Sequence, residues 1–349
     1  MDQLNIEDAI RRGIEYLKQY QYPNGQFRAF TATDDEMHIN CTPDSSVFST
    51  ALICYSLGFL AKNAFVNEMI SLSTGFLLRE MKGPGAWKHY TQLHGYHSII
   101  PADLDDTCCV SYILEKNGIK WIRGKNINLI TSNRNKEGLF YTWLSFRLKQ
   151  KHNRDYIRLV RSELLQPVST YFFWRQMECE RNDIDAAVNA NVLFYLGHNK
   201  TTAPIVGYLN NIIKENKEDD CDKWYRNPFS IYYFIARNYK AGISDLEPSR
   251  KLIIDKILSA TLPNGMFGSS VLDTALAICA LADLNAPITI YTNQIKLLLD
   301  TQSEAGCWQR RILYYGGPKK LIGWGSEELT TAFCLEALQK FQNQVEVEV

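Results

Sequence analysis

From Ile10 through Gly13, Tyr16, Leu17 and Gln21 the chain runs into Pro23-Asn24-Gly25-Gln26-Phe27, and this stretch decides the fold. It reads as an amphipathic helix, a tight turn that needs glycine, and an aromatic residue that packs back on the helix. The glycine supplies positive φ, and the aromatic fastens the turn. The same unit returns at Gln294, Leu297, Leu298 and Gln302, followed by Ala305-Gly306-Cys307-Trp308. Between these two lie Phe76-Leu77 to Gly85-Ala86-Trp87, Leu129-Ile130 to Gly138-Leu139-Phe140, and Ile257-Leu258 to Pro263-Asn264-Gly265-Met266-Phe267. A further copy, Tyr208-Leu209 to Trp224, is degenerate.

A second, more apolar helix follows each turn. These helices are expected at 45–60, 105–115, 183–197, 229–239, 272–283 and 327–341. Their period is helical, with Ala275, Ile278, Cys279 and Ala282 on one face and Thr331, Cys334, Leu335 and Leu338 on another. Half-polar helices alternating with apolar ones predict an outer and an inner ring, an all-α (α/α)6 toroid. β signals are nearly absent. The segment from Thr142 to Glu180 is the longest insertion and ends in Tyr171-Phe172-Phe173-Trp174. No Pro/Gly/Ser-rich linker interrupts the chain, so residues 1–349 are expected to form one domain.

Composition narrows the function classes. Thirty-eight basic residues balance thirty-eight acidic ones, and no Lys/Arg-rich block supplies the footprint of a nucleic-acid binder. No window offers eighteen uncharged apolar residues, so no transmembrane segment is expected, and any membrane contact would be peripheral. The N-terminus begins with acids and is amphipathic, unlike a signal peptide. Nine cysteines, mostly single and set in apolar stretches, suit a reducing, cytoplasmic home rather than a disulfide framework.

Chemistry concentrates at Asp103-Leu104-Asp105-Asp106-Thr107, directly ahead of an apolar run. Three carboxylates within four positions cannot all ionise cheaply once water is thinned out, so at least one pKa should rise. Capping competes as an explanation, because Asp at a helix start bonds free N–H groups and complements the dipole. In a toroid whose inner helices run the same way, other helix-start acids reach the same rim: Asp44, Asp183, Asp185, Asp273, Glu327 and Glu328.

The repeated unit resembles the QW-type repeats of the squalene-hopene cyclase and prenyltransferase superfamily, and Asp103–Thr107 resembles the DxDDT motif of class II terpene cyclases. The resemblance spans nearly the whole chain. It implies that Asp105 protonates a terminal alkene or epoxide of a hydrophobic isoprenoid, with Asp103 and Asp106 holding it protonated and oriented. Class II cyclases usually pair this toroid with a second helical domain, for which the chain is too short. Its cavity is then closed either by the 142–180 insertion or by a partner chain, a homodimer included.

Around that acid, Trp174, Phe173, Trp224, Tyr233 and Trp324 are expected to line a cavity and steady cations through their π faces. Asp185, Asp273 and His97 are expected to contact substrate. Arg226, Arg310, Arg311, Lys319 and Lys320 are candidates for a diphosphate, the one substrate type for which Mg2+ would matter; no other cofactor is implied. Zinc of the protein-prenyltransferase kind would use Asp106 and Cys108, but no histidine follows His198 to complete it. The chief rival is an (α/α)6 carbohydrate-active enzyme, in which Asp105 with Asp185 or Asp273 would need carboxyls about 6.5–9.5 Å apart. A non-catalytic binding toroid is the other.

Overall fold

The computed structural model describes residues 3–147, 154–176 and 178–348. Six helices close the inner ring: α2 (Val47–Leu57), α4 (Leu104–Lys116), α8 (Ala186–Leu196), α10 (Pro228–Lys240), α12 (Val271–Asp283) and α14 (Glu327–Glu348). Each packs on the next, and α14 returns to α2. The outer ring is α1 (Gln3–Tyr20), α3 (Ala64–Arg79), α5 (Trp121–Ser132), α9 (Ala203–Lys214), α11 (Glu247–Ser259) and α13 (Thr292–Thr301). The expected double-ringed toroid is therefore the fold observed.

The two rings differ because their surroundings differ. An inner helix has neighbours on both sides, an outer helix behind it and the barrel centre in front, so nearly every residue of α2, α8 and α12 is buried. An outer helix buries one stripe, as α9 does with Ile205, Val206, Leu209, Ile212 and Ile213.

The turns follow the sequence closely. Gly25, Gly85, Gly138, Gly265 and Gly306 all have φ between 87° and 92°. At Gly25 a Cβ would meet the Leu72 carbonyl oxygen at 2.1 Å, so side-chain volume and backbone conformation both demand glycine. The aromatics that follow, Phe27, Trp87, Phe140, Phe267 and Trp308, are fully buried. Trp87 and Trp308 also donate through Nε1 to Leu77 O and Leu298 O, at 2.7 and 2.8 Å. Four of these aromatics hook the turn onto the adjacent inner helix. Phe27 N donates to Thr50 Oγ1, Trp87 N to Thr107 Oγ1, Phe140 N to Asn189 Oδ1 and Trp308 N to Thr331 Oγ1.

One feature departs from expectation. Short antiparallel strands do occur: β1 (Ala29–Ala32), β2 (Thr42–Asp44), β5 (Ile312–Tyr315) and β6 (Gly323–Gly325) form a sheet in the order β2-β1-β6-β5. A second pair joins β3 (Ala102–Asp103) to β4 (Trp143–Leu144). At two to four residues they are too short to show an alternating pattern. The insertion holds two helices, α6 (Arg154–Leu165) and α7 (Pro167–Gln176); its residues 148–153 and 177 lie outside the described residues. No helix among the described residues is long and apolar enough to cross a membrane.

Candidate active site

The acidic motif enters α4 held by backbone hydrogen bonds on two sides. Asp103 N donates to Trp87 O at 3.2 Å, and Leu104 N donates to Thr142 O at 2.8 Å. Asp103, extended at the N-cap, accepts from Asp106 N at 2.8 Å through Oδ1. Ser46, Ser270 and Ser326 do the same for α2, α12 and α14. Capping thus accounts for Asp103, and hooking the Trp87 turn accounts for Thr107. Neither accounts for Asp105 or Asp106.

Asp103 and Asp106 are buried and hydrogen-bonded to each other. Burial pushes Asp103 up to about 7 and Asp106 well above the carboxylate range, where the Asp103 charge lifts it further. Two carboxyls in contact without a cation retain a proton between them, because ionising both in a low-dielectric site is too costly. Asp106 Oδ1 is buried with no partner among the described residues.

Asp105 is the member of the three that keeps part of its surface open. Its Oδ1 accepts from Asn191 Nδ2 at 2.5 Å and its Oδ2 from Tyr225 Oη at 2.6 Å. Burial raises its pKa; the Tyr225 and Asn191 donors and the Arg237 charge partly offset that rise. The result is a carboxyl whose proton affinity is lifted by desolvation and trimmed by donors, as a general acid requires.

The three carboxyls border a cavity of about 70 Å3 at the end of the barrel where the inner helices begin. Its walls are aromatic: Phe48, Trp143, Trp224, Tyr225, Tyr314 and Trp324. Trp143 and Trp224 meet edge to face at 5.5 Å, and Tyr314 and Trp324 stack at 5.6 Å. His89 also lines the cavity, with burial pushing its pKa down to about 4 and its Nε2 unpartnered among the described residues. Gly316, between β5 and β6, completes the wall near Tyr315. Below, the barrel is filled. Lys340 pairs with Asp283 and Glu336 at 2.7 Å each, and Glu336 accepts from Ser56 Oγ at 2.7 Å and Tyr233 Oη at 3.0 Å.

Of the residues singled out in the sequence, Asp103, Asp105, Asp106, Trp224 and Trp324 line this cavity. The rest of the set does not. Phe173 and Trp174 sit one layer back, each packing edge-on against Trp143 at 5.8 Å, because α7 lies outside the β3–β4 pair. Tyr233 belongs to the filled floor, held by Glu336. Asp185 accepts from Thr142 Oγ1, Lys223 N and Trp224 Nε1, so it anchors the cavity wall from behind. Asp273 accepts from Asn227 Nδ2 and Ser269 N, away from the cavity lining. The His97 ring bonds the Tyr90 carbonyl within its own loop.

The other rim acids are also engaged. Asp44 takes Trp324 Nε1 and His94, Asp183 pairs with Lys223, Glu327 with Arg310 and Glu328 with Arg28. Among the basic residues considered for a diphosphate, Arg310 is thus paired and Lys319 is bound to Glu178.

Arg237, Trp143 and Tyr314 escaped the sequence reading as site residues, and Asn191, legible there as a polar group in an otherwise apolar helix, was not assigned a partner. Arg237 is the charged residue among the buried positions of α10, beside buried Asn238, and Asn191 lies with Asn189 on the largely apolar α8. Polar groups on helices buried all round are the signal that could have found them.

No family model matches the chain, and no curated protein matches it by sequence. Solved structures do match in fold. A protein from Actinoplanes has a TM-score of 0.70 and 18% identity, covering 97% of this chain and 99% of its own. The R337A variant of the type II terpene cyclase MstE from Scytonema, in complex with the substrate geranylgeranyl dihydroxybenzoate, has a TM-score of 0.67 and 14% identity, covering 97% of this chain and 98% of its own. An MstE variant in complex with the product merosterolic acid A has a TM-score of 0.65 and 15% identity, covering 97% of each chain. This similarity establishes the fold as a toroid of the terpene-cyclase kind.

Proposed function

We propose that this chain is a class II terpene cyclase-like enzyme in which Asp105 is the general acid. The observation that carries the reading is one buried carboxyl of raised proton affinity opening on a small cavity walled by indole and phenol rings. In the reaction the Asp105 proton passes to the terminal carbon of an alkene, or to an epoxide oxygen, and the π electrons of the chain close a carbon–carbon bond. The cation is steadied by Trp143, Trp224, Tyr225, Tyr314 and Trp324, each contributing through its ring face. A final proton leaves the product, and the Asp105 carboxylate is reprotonated from solvent. A cavity of about 70 Å3 suits the reacting end of an isoprenoid; the remainder would extend toward the mouth beside Gly316. The rival sugar-cleaving reading would pair Asp105 with Asp185 or Asp273, and both of these are engaged in wall and turn hydrogen bonds, which favours the cyclase reading.

The test is incubation with squalene, an epoxysqualene, geranylgeranyl diphosphate and geranylgeranyl dihydroxybenzoate, in H2O and in D2O, with products read by mass spectrometry. We expect cyclised product from at least one, carrying one carbon-bound deuterium in D2O where an alkene is protonated and none retained where an epoxide oxygen takes the proton. Asp105→Asn should lower turnover about 10²–10⁴-fold or more while the fold persists. Equal turnover in Asp105→Asn, or no conversion of any of the four by folded protein, defeats the reading.

A further inference from the structure

Arg237 is 2% exposed on α10 and makes no ion pair with a carboxylate among the described residues. Its guanidinium sits among four rings, 4.7 Å from Tyr55, 4.8 Å from Phe194 and Phe234, and 5.0 Å from Tyr233. Through Nη2 it donates to Asn191 Oδ1, and Asn191 Nδ2 in turn donates to Asp105 Oδ1. A buried cation left without a counter-ion is expensive, and packing alone would be served by an apolar side chain. The charge therefore has work that packing does not require.

We infer that Arg237 is a positioning residue which, by locking the amide of Asn191, confines the acidic proton of Asp105 to Oδ2. The inference rests on the reading of Asp105 as the acid. A guanidinium has five N–H donors and no acceptor, so the group Asn191 turns toward it must be the carbonyl oxygen. The opposite end of Asn191 then presents N–H to Asp105 Oδ1, which can only accept. A proton on the carboxyl must sit on Oδ2, beside Tyr225 on the cavity wall. Without Arg237 the amide is free to flip, and a protonated Oδ1 could donate to Asn191, pointing the proton away from Tyr225.

Other groups that titrate or carry charge face Asp105 or its cavity, and the test must hold them constant. They are Asp103, Asp106 and Cys109 on α4, Tyr225 ahead of α10, and Tyr314 and His89 on the cavity wall. Arg237→Met removes the charge and the donor but leaves all of these in place. Asn191→Leu removes the link and leaves the cation.

Infrared difference spectra against Asp105→Asn, recorded across pH on the full chain, read the Asp105 carboxyl directly and need no substrate. In Arg237→Met and in Asn191→Leu the midpoint should rise by about one pH unit, a tenfold gain in proton affinity. The C=O stretch of protonated Asp105 should change in both, because the carbonyl oxygen loses its bond from Asn191; in Asn191→Leu it should move to higher wavenumber. Arg237→Lys should restore both values toward wild type. If Arg237→Met does not fold, Asn191→Leu alone decides. An unchanged midpoint, or a moved midpoint with an unmoved stretch in Asn191→Leu, overturns the inference. Failure to turn over any isoprenoid would count against the proposed reaction and leave this spectroscopic result standing.

Discussion

Tyr225 Oη lies 2.6 Å from Asp105 Oδ2, joining residues 120 positions apart in the chain. The contact exists because Tyr225 sits in the turn ahead of α10 while Asp105 starts α4, and the toroid brings both to one end of the barrel. Asp222 holds that turn, accepting from the backbone N–H groups of Trp224 and Tyr225 at 2.9 Å each.

The Tyr225 hydroxyl favours the Asp105 carboxylate, so its removal should raise the Asp105 pKa. An acid acts only while protonated, and its activity is lost as pH rises through its pKa. Tyr225→Phe should therefore carry the alkaline limb of the pH–rate profile upward, with turnover lowered roughly tenfold because a weaker acid transfers its proton less readily. An alkaline limb that moves downward would contradict this.

Thr107 closes the acidic motif but serves the fold, since Trp87 N donates to its Oγ1 at 3.1 Å. Thr107→Val would leave that buried N–H unsatisfied, at a cost of about 1–3 kcal/mol. We expect lower stability in urea with turnover per folded molecule near wild type, the reverse of Asp105→Asn. Loss of turnover without loss of stability would move Thr107 into the chemistry.

Burial also sets the pH dependence of stability. Asp103 is raised to about 7 and Asp185 to about 6, while Asp106 and Asp222 lie well above the carboxylate range. A group whose folded pKa exceeds its unfolded value stabilises below the unfolded pKa and loses that contribution as pH rises through the folded one. Between about pH 4 and 7 these carboxyls should reduce stability by about 1.4 kcal/mol per pH unit for each extra proton held by the folded state. His89, lowered to about 4, opposes them, because the folded protein loses stability as pH falls from about 6.5 toward that value. His97, also lowered by burial, acts the same way, but four carboxyls outweigh two imidazoles, so denaturant midpoints should fall from pH 5 to pH 7, and Asp106→Asn should flatten the slope. A midpoint that climbs over this range would refute the assignment.

Lys340 neutralises two buried acids in the barrel floor, Asp283 and Glu336. Lys340→Met would strand them, and breaking a buried pair by removing one partner costs about 3–5 kcal/mol. Urea denaturation should report a loss of that order. A loss below about 1 kcal/mol would mean that water reaches the floor.

The helical scaffold was legible because it is written in local terms. Gly25, Gly85 and Gly306 announce turns by the one conformation they alone adopt cheaply, and Phe27, Trp87 and Trp308 follow at fixed spacing. The inner helices begin within a few residues of where their apolar period starts; α14 alone runs on, to Glu348 against an expected 341. The strands were invisible because two to four residues cannot display a period. The acids at the other inner-helix starts could not be separated by sequence into cap, wall anchor and reactive group. That sorting depends on partners such as Lys223 for Asp183 and Trp224 for Asp185, which no spacing reveals.

By itself, the sequence determined the helix order, the turns, the closure into rings and the position of the acidic motif at an inner-helix start, since helix period, glycine conformation and capping act over a few residues. Only the tertiary structure decided which of the three cavity-lining acids keeps part of its surface open, that Phe173 and Trp174 stand behind Trp143, and that Tyr225, Asn191 and Arg237 converge on Asp105. Those outcomes depend on which side chains meet across the barrel and how far each is stripped of water. Proton affinity answers to that desolvation and to those donors, and both are set by elements scores of residues apart.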